Sequence, residues 1–180
     1  MYELEDLLLE ISNNGYDAQP ADVYWNVWKC ISQFCRSNLL VMKGTRLPGL
    51  GLLTFRKKKS FKGTQGISTE HIPMFTYFEG FLSSYNLQGS TIGRSDSNSA
   101  VGEVDMQYTV ISSMAGVPRD TVITCFKKLV QGMGQAFAAN LHCEIELVDV
   151  GMMTSHAGRV KFTFFDTIAR DSSTGRKAEE

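Results

Sequence analysis

The chain has 180 residues, of which 43% are hydrophobic and 21% charged, a globular composition that argues against disorder over most of its length. A net charge of −1 rules out an overall field that would recruit nucleic acid or an anionic membrane. Apolar runs are only a few residues long, too short for a membrane-spanning helix, and the acidic start Met1-Tyr2-Glu3-Leu4-Glu5-Asp6 reads as no targeting presequence.

In chain order, Leu4, Leu7, Leu8 and Ile11 recur at helical spacing and predict a short helix stopped by Asn13-Asn14-Gly15. Gln19-Pro20-Ala21-Asp22 then opens a longer one. Proline suits a first helical position because its missing N–H would be unpaired there, and the Asp carboxylate suits the positive end of the helix dipole. Tyr24, Val27, Trp28 and Ile31 continue the apolar face. A strand is expected over Leu47 to Thr54, a return strand over Ile72-Pro73-Met74-Phe75, and a short helix through Phe78, Phe81, Leu82 and Tyr85. Residues 88–102, rich in Gly, Ser and Asn, have linker composition.

The second half repeats the pattern. Met106, Val110, Ile111 and Met114 predict a helix ended by Gly116, and Val117-Pro118-Arg119-Asp120 opens a second one. Pro20 and Pro118 lie 98 residues apart (118 minus 20), an offset that sets Trp28 against Phe126, Lys29 against Lys127 and Gln33 against Gln131. Leu47 to Thr54 faces Leu147 to Thr154 at an offset of 100; the drift falls in the connecting turn, where length changes are tolerated. Cys143, Ile145 and Leu147 alternate with Glu144 and Glu146, both expected to be exposed, and Val160, Phe162 and Phe164 alternate with Lys161 and Thr163 around a tight turn at residues 155–158. The expected fold is α+β. Its parts are a first domain over residues 1–87, a linker over 88–102, a second domain over 103–170 and a flexible tail over 171–180.

No catalytic constellation emerges. His71, His142 and His156 are scattered over strand edges and a turn, with no ligand-like spacing. Cys30 and Cys35 share a helix face with Trp28, Ile31 and Phe34 and read, like Cys125 and Cys143, as reduced, buried thiols. Neither glycine-rich segment, Gly63-Thr64-Gln65-Gly66 or Gly89-Ser90-Thr91-Ile92-Gly93, follows a strand and opens a helix with the Lys-Ser/Thr of a phosphate loop. The expectation is a non-enzyme of the cytoplasm, with no cofactor, metal or small-molecule substrate.

Candidate contact residues are Arg56, Lys57, Lys58, Lys59 and Lys62, an acid-free cluster within residues 56–62. Two readings stand: a solvated hairpin face, or a docking site for an acidic surface. Trp25 likewise is either a junction residue between the halves or a binding anchor, since aromatics dominate interface hot spots.

Two helices, the segment Leu47-Pro48-Gly49-Leu50-Gly51-Leu52-Leu53-Thr54-Phe55, an arm, and Ile72-Pro73-Met74-Phe75 resemble the bacterial HU/IHF chromosomal proteins. So does Tyr108 to Phe137, with Ala115-Gly116-Val117-Pro118 between its helices. Over Val27 to Thr54 and Val104 to Ile168, the pairing is similar to the tandem HU-like domains of the coiled-coil domain-containing protein 81 family, although no coiled coil is visible. That resemblance implies two HU-like domains (helix, helix, strand, hairpin, helix) packed as an intramolecular pseudo-dimer. It also implies a structural role in cilium, axoneme, centrosome or basal body, with tubulin or other axonemal or centrosomal proteins as partners. HU proteins bend DNA with two basic, wedge-tipped arms. Here the connection from Phe55 to Ile72 reads as short and lacks a Pro tip, and the second half has no arm. HU-type DNA wrapping is therefore not expected. The alternative is an architectural nucleic-acid binder using residues 56–62.

Overall fold

The computed structural model describes residues 1–89 and 101–174, with side chains through residue 170; residues 90–100 of the expected linker and 175–180 of the expected tail lie outside the described residues. The fold is α+β. Helix α1 (Leu4–Asn13) buries Leu4, Leu7, Leu8 and Ile11 on one face. Its N-terminus is closed by reciprocal capping, in which the Glu3 carboxylate accepts the Asp6 N–H and the Asp6 carboxylate accepts the Glu3 N–H at 2.9 Å. Helix α2 (Ala21–Leu40) and helix α5 (Arg119–Ala139) each follow a proline at the N-cap, one position earlier than predicted, with Asp22 and Asp120 in their first turns. Helix α4 (Tyr108–Ala115) ends on Gly116 in the left-handed conformation, as a glycine stop requires. Its inner face differs from the sequence expectation: Ile111 is buried, but Val110 and Met114 are exposed, and Met106 is buried ahead of the helix. The short helices are α3 (Glu79–Ser84) and α6 (Asp166–Thr174), the latter running four residues into the expected tail.

Among the described residues eight strands form two four-stranded sheets: β1 (Tyr2–Glu3), β2 (Gly44–Leu47), β3 (Gly51–Phe61), β4 (Ile67–Tyr77), β5 (Glu103–Asp105), β6 (His142–Leu147), β7 (Gly151–His156) and β8 (Arg159–Phe164). One sheet has the order β4-β3-β2-β5 and the other β1-β6-β7-β8. The element order strand, two helices, three strands, helix thus occurs twice along the chain. Each half lends its first strand to the other's sheet. β1 pairs parallel with β6 through Tyr2 and Cys143, and β5 pairs parallel with β2 through Thr45 and Val104. Neither two- or three-residue strand has a periodicity long enough to be read from sequence.

Gly51 and Gly151, set opposite each other by the repeat, do the same work in each half. A Cβ on Gly51 would lie 2.4 Å from the Thr76 carbonyl and 2.6 Å from the Phe75 ring; on Gly151 it would lie 2.5 Å from the Thr163 carbonyl and 2.6 Å from the Phe162 ring. Only glycine allows the neighbouring strand and aromatic ring so close.

The hydrophobic core is continuous across the halves. Trp28, Tyr24 and Ile31 of α2 and Phe126, Leu129 and Phe137 of α5 are fully buried in one cluster, each large side chain contributing about 1.5–3 kcal/mol by leaving water. Polar links cross the same seam. The Asn26 amide donates to the Ala115 carbonyl at 2.8 Å, and the Val148 N–H donates to the Ser32 hydroxyl at 3.1 Å. The two sheets meet where Phe75 stacks on Phe162, 4.7 Å between ring centres, and the Tyr77 hydroxyl donates to the Lys161 carbonyl. Because the halves exchange strands and share one core, neither half buries its apolar surface alone.

Candidate interaction surface: a single basic β-ribbon

The β3–β4 ladder leaves the body at Phe55 and Pro73, which pair and are both buried. It continues for another six pairs, from Arg56 with Ile72 to Phe61 with Ile67, about 20 Å at the usual rise of a strand. This differs from the sequence expectation, which started the return strand at Ile72 and treated the connection as a short arm. Residues 67–71 form strand because Ile67 and Thr69 suit a pleated ribbon and the segment lies in register with residues 57–61. At the tip, Gly63 and Gly66 both have positive φ, and a single 3₁₀ turn (Gly63–Gln65) closes the ribbon, with the Lys62 N–H donating to the Gly66 carbonyl at 3.1 Å.

Directly paired residues of an antiparallel ladder project to the same side, so the register sorts the ribbon into two unlike faces. One carries Lys57, Lys59 and Phe61 with His71, Thr69 and Ile67. The other carries Arg56, Lys58 and Ser60 with Ile72, Glu70 and Ser68, and the two serine hydroxyls lie 2.9 Å apart. The first face has no acid. It ends in an apolar pair, Phe61 and Ile67, exposed by 80% and 62%. Sequence reasoning missed both; their signal was β-forming apolar residues at matching distances from the Gly63–Gly66 turn. Arg56, Lys57, Lys58, Lys59 and Lys62 are all exposed, and among the described residues none lies in an ion pair: the recorded ion pairs join Arg46 to Glu103 at 3.0 Å and to Asp105 at 3.7 Å. Lys58 faces Glu70 across the ladder, and no cation of the cluster is locked in an ion pair within the described part of the molecule.

Among the described residues the second half has no counterpart. Its β7–β8 ladder stops at His156 and Arg159, closed by Ala157 and Gly158 with positive φ, the backbone of a two-residue hairpin. Glu144 and Glu146 of β6 are half-buried, not exposed as expected, on a strand that lies inside its sheet between β1 and β7.

Trp25 lies on α2, not on the ribbon. It is 41% exposed and sits next to Asn26, which bonds across the seam to α4, whereas Trp28 is buried. The structure therefore gathers the five cations of residues 56–62 on one element and leaves Trp25 apart from them.

All four cysteines are buried and unbridged. Burial pushes the thiols of Cys35 and Cys143 up to about 12 and that of Cys125 up to about 11, the last against a small opposing effect of Lys128. They are protonated at neutral pH, so as nucleophiles they are inert. Among the described residues no helix is long and apolar enough to cross a membrane, and none of the His, Cys, Asp and Glu side chains gather in threes as a metal cluster.

Residues 104–174, from β5 to the end of α6, match the family model described as CCDC81 eukaryotic HU domain 2. This stretch is HU-like, and the match covers the half of the chain that has no ribbon.

Proposed function

We propose that the chain is a non-catalytic binding module in which two HU-like units pair within one polypeptide and hold out a single basic β-ribbon to dock on an acidic surface of another protein. The observation that carries this reading is the asymmetry of the ribbon. An HU-type clasp needs two cationic prongs, because phosphate neutralisation from both sides supplies most of the affinity. One cationic prong on a chain whose net charge is −1 overall gives a bipolar molecule, better suited to a neighbouring protein than to a polyanion. The HU-like match over residues 104–174, the repeated element order and the exchanged strands support the pseudo-dimer. The proposed setting is cytoskeletal, in a cilium, axoneme or basal body, with tubulin or microtubule-associated proteins as partners; it rests on the family resemblance.

A second reading draws on one specific feature. A ribbon of about 20 Å tipped by Phe61 and Ile67 has the shape of an apolar wedge on a basic stem, which suits an architectural nucleic-acid binder. Co-sedimentation with microtubules and gel shift on duplex DNA, both at about physiological salt, separate the two. The expected result is microtubule binding that is lost when Lys57, Lys58 and Lys59 are replaced together by Ala. Nanomolar, salt-steep DNA binding lost in that variant would favour the second reading. Binding to neither removes the ribbon as a docking element, and a fluorescent fusion found away from cilia and centrosomes removes the proposed setting.

A further inference from the structure

From the geometry of the β6–β7 pair we infer a surface binding site for a borderline divalent cation of the zinc class, held by His142 and His156. The two residues are direct cross-strand partners at the end of the ladder, and their Nδ1 atoms lie 3.1 Å apart. Zinc–imidazole bonds run about 2.0–2.1 Å, and two such bonds to nitrogens 3.1 Å apart enclose about 98°, between octahedral and tetrahedral angles. The rings are tilted by 34° with centres 4.4 Å apart, so one cation can reach a nitrogen of each.

The backbone beneath them is fixed before any cation arrives. Cys143 pairs with Ser155 in the next rung, the Ala157 N–H donates to the Leu141 carbonyl at 3.0 Å, and the Ser155 hydroxyl donates to the Phe137 carbonyl. Ligands paired on one rung of a pinned ladder lose little freedom on binding. Both imidazoles are exposed, which leaves the remaining coordination positions to water or to a side chain of another molecule. Arg159, in register with His156, and Lys161, two rungs further and on the same face, oppose a cation, while Glu144 on the same face of β6 attracts one. Two protein ligands with mixed neighbours set a modest, micromolar-class site. Without a metal the same spacing accommodates one Nδ1–H donating to the other ring, so the test must separate the two.

Titration of the intact chain with zinc ion by calorimetry at about pH 7.5, repeated with excess chelator, reads the site directly. The expected result is one equivalent bound, removed by the chelator. His142→Gln and His156→Gln, checked by circular dichroism for an unchanged fold, should each weaken binding about tenfold or more. His71 is the remaining histidine of the chain, and His71→Gln should bind as the parent does. No saturable binding below about 1 mM, undiminished binding in either single variant, or loss in His71→Gln overturns the inference.

Discussion

The indole N–H of Trp28, on α2 of the first half, donates to the main-chain oxygen of Glu146, on β6 of the second, at 2.7 Å. The indole is itself fully buried, so one side chain provides both apolar burial and a polar tie across the seam. Trp28→Phe removes the donor and leaves a small void, and should cost about 2–4 kcal/mol. A lower urea midpoint with an unchanged slope would record it; a loss under about 0.5 kcal/mol would show that the tie contributes nothing.

Two glycines should respond in opposite directions. On Gly134 of α5 a Cβ would lie 2.1 Å from the ring of Tyr85, which follows α3 of the other half, whereas nothing lies within 4 Å of a Cβ on Gly80. An aromatic ring held by Phe81 on one side cannot simply step away. Gly134→Ala should destabilise by about 1–3 kcal/mol, while Gly80→Ala, in α3, should stabilise by up to about 1 kcal/mol. Thermal unfolding of both variants checks the pair of signs.

The ion pair between Arg46 of β2 and Glu103 of β5, at 3.0 Å, decorates a strand exchange without holding it. The Arg46 side chain is 46% exposed, and such pairs contribute about 0.2–1 kcal/mol. Glu103→Gln should cost no more than this, and the cost should shrink in high salt. A loss of several kcal/mol would mean that the charges, not the paired backbone, secure β5.

The ribbon's two faces should be distinguishable in binding. Replacing Lys57 and Lys59 by Ala strips the acid-free face, while replacing Arg56 and Lys58 removes charges from the face that also bears Glu70. The first double variant should weaken association with an acidic partner more than the second and flatten its salt dependence more, with folding unchanged in both. Equal losses would show that only total charge matters.

Alkaline pH should destabilise the fold before it exposes any reactive thiol. An unfolded thiol titrates near 9, and burial holds Cys35, Cys125 and Cys143 protonated until about 11 to 12. For groups with raised folded pKa values the stabilising contribution is complete below pH 9 and is lost as pH rises through about 11 to 12. Stability measured by denaturant should therefore fall from about pH 9 upward. At pH 8 a thiol reagent should react slowly with the native protein and rapidly with all four cysteines after denaturation. Fast native reaction would show that the core opens locally.

Much of the fold was legible in the residues. Leu4, Leu7, Leu8 and Ile11, and Tyr24, Val27, Trp28 and Ile31, recur at helical spacing, and all eight are buried on α1 and α2. The alignment of residues 47–54 with 147–154 set Gly51 against Gly151, and the structure showed that each admits a close strand approach only a glycine allows. On α4 the same reasoning failed. Val110 and Met114 fit an apolar period, yet they are exposed, since which face a short helix buries depends on what packs against it.

Sequence by itself determined the helices, the duplicated pattern and the clustering of cations in residues 56–62, all of which are local properties of spacing and composition. Tertiary structure decided which strand joins which sheet, which ribbon face is free of acid, and that His142 meets His156. Those facts depend on register between segments far apart in the chain, and register is fixed by cooperative pairing and a shared core, which no single segment encodes.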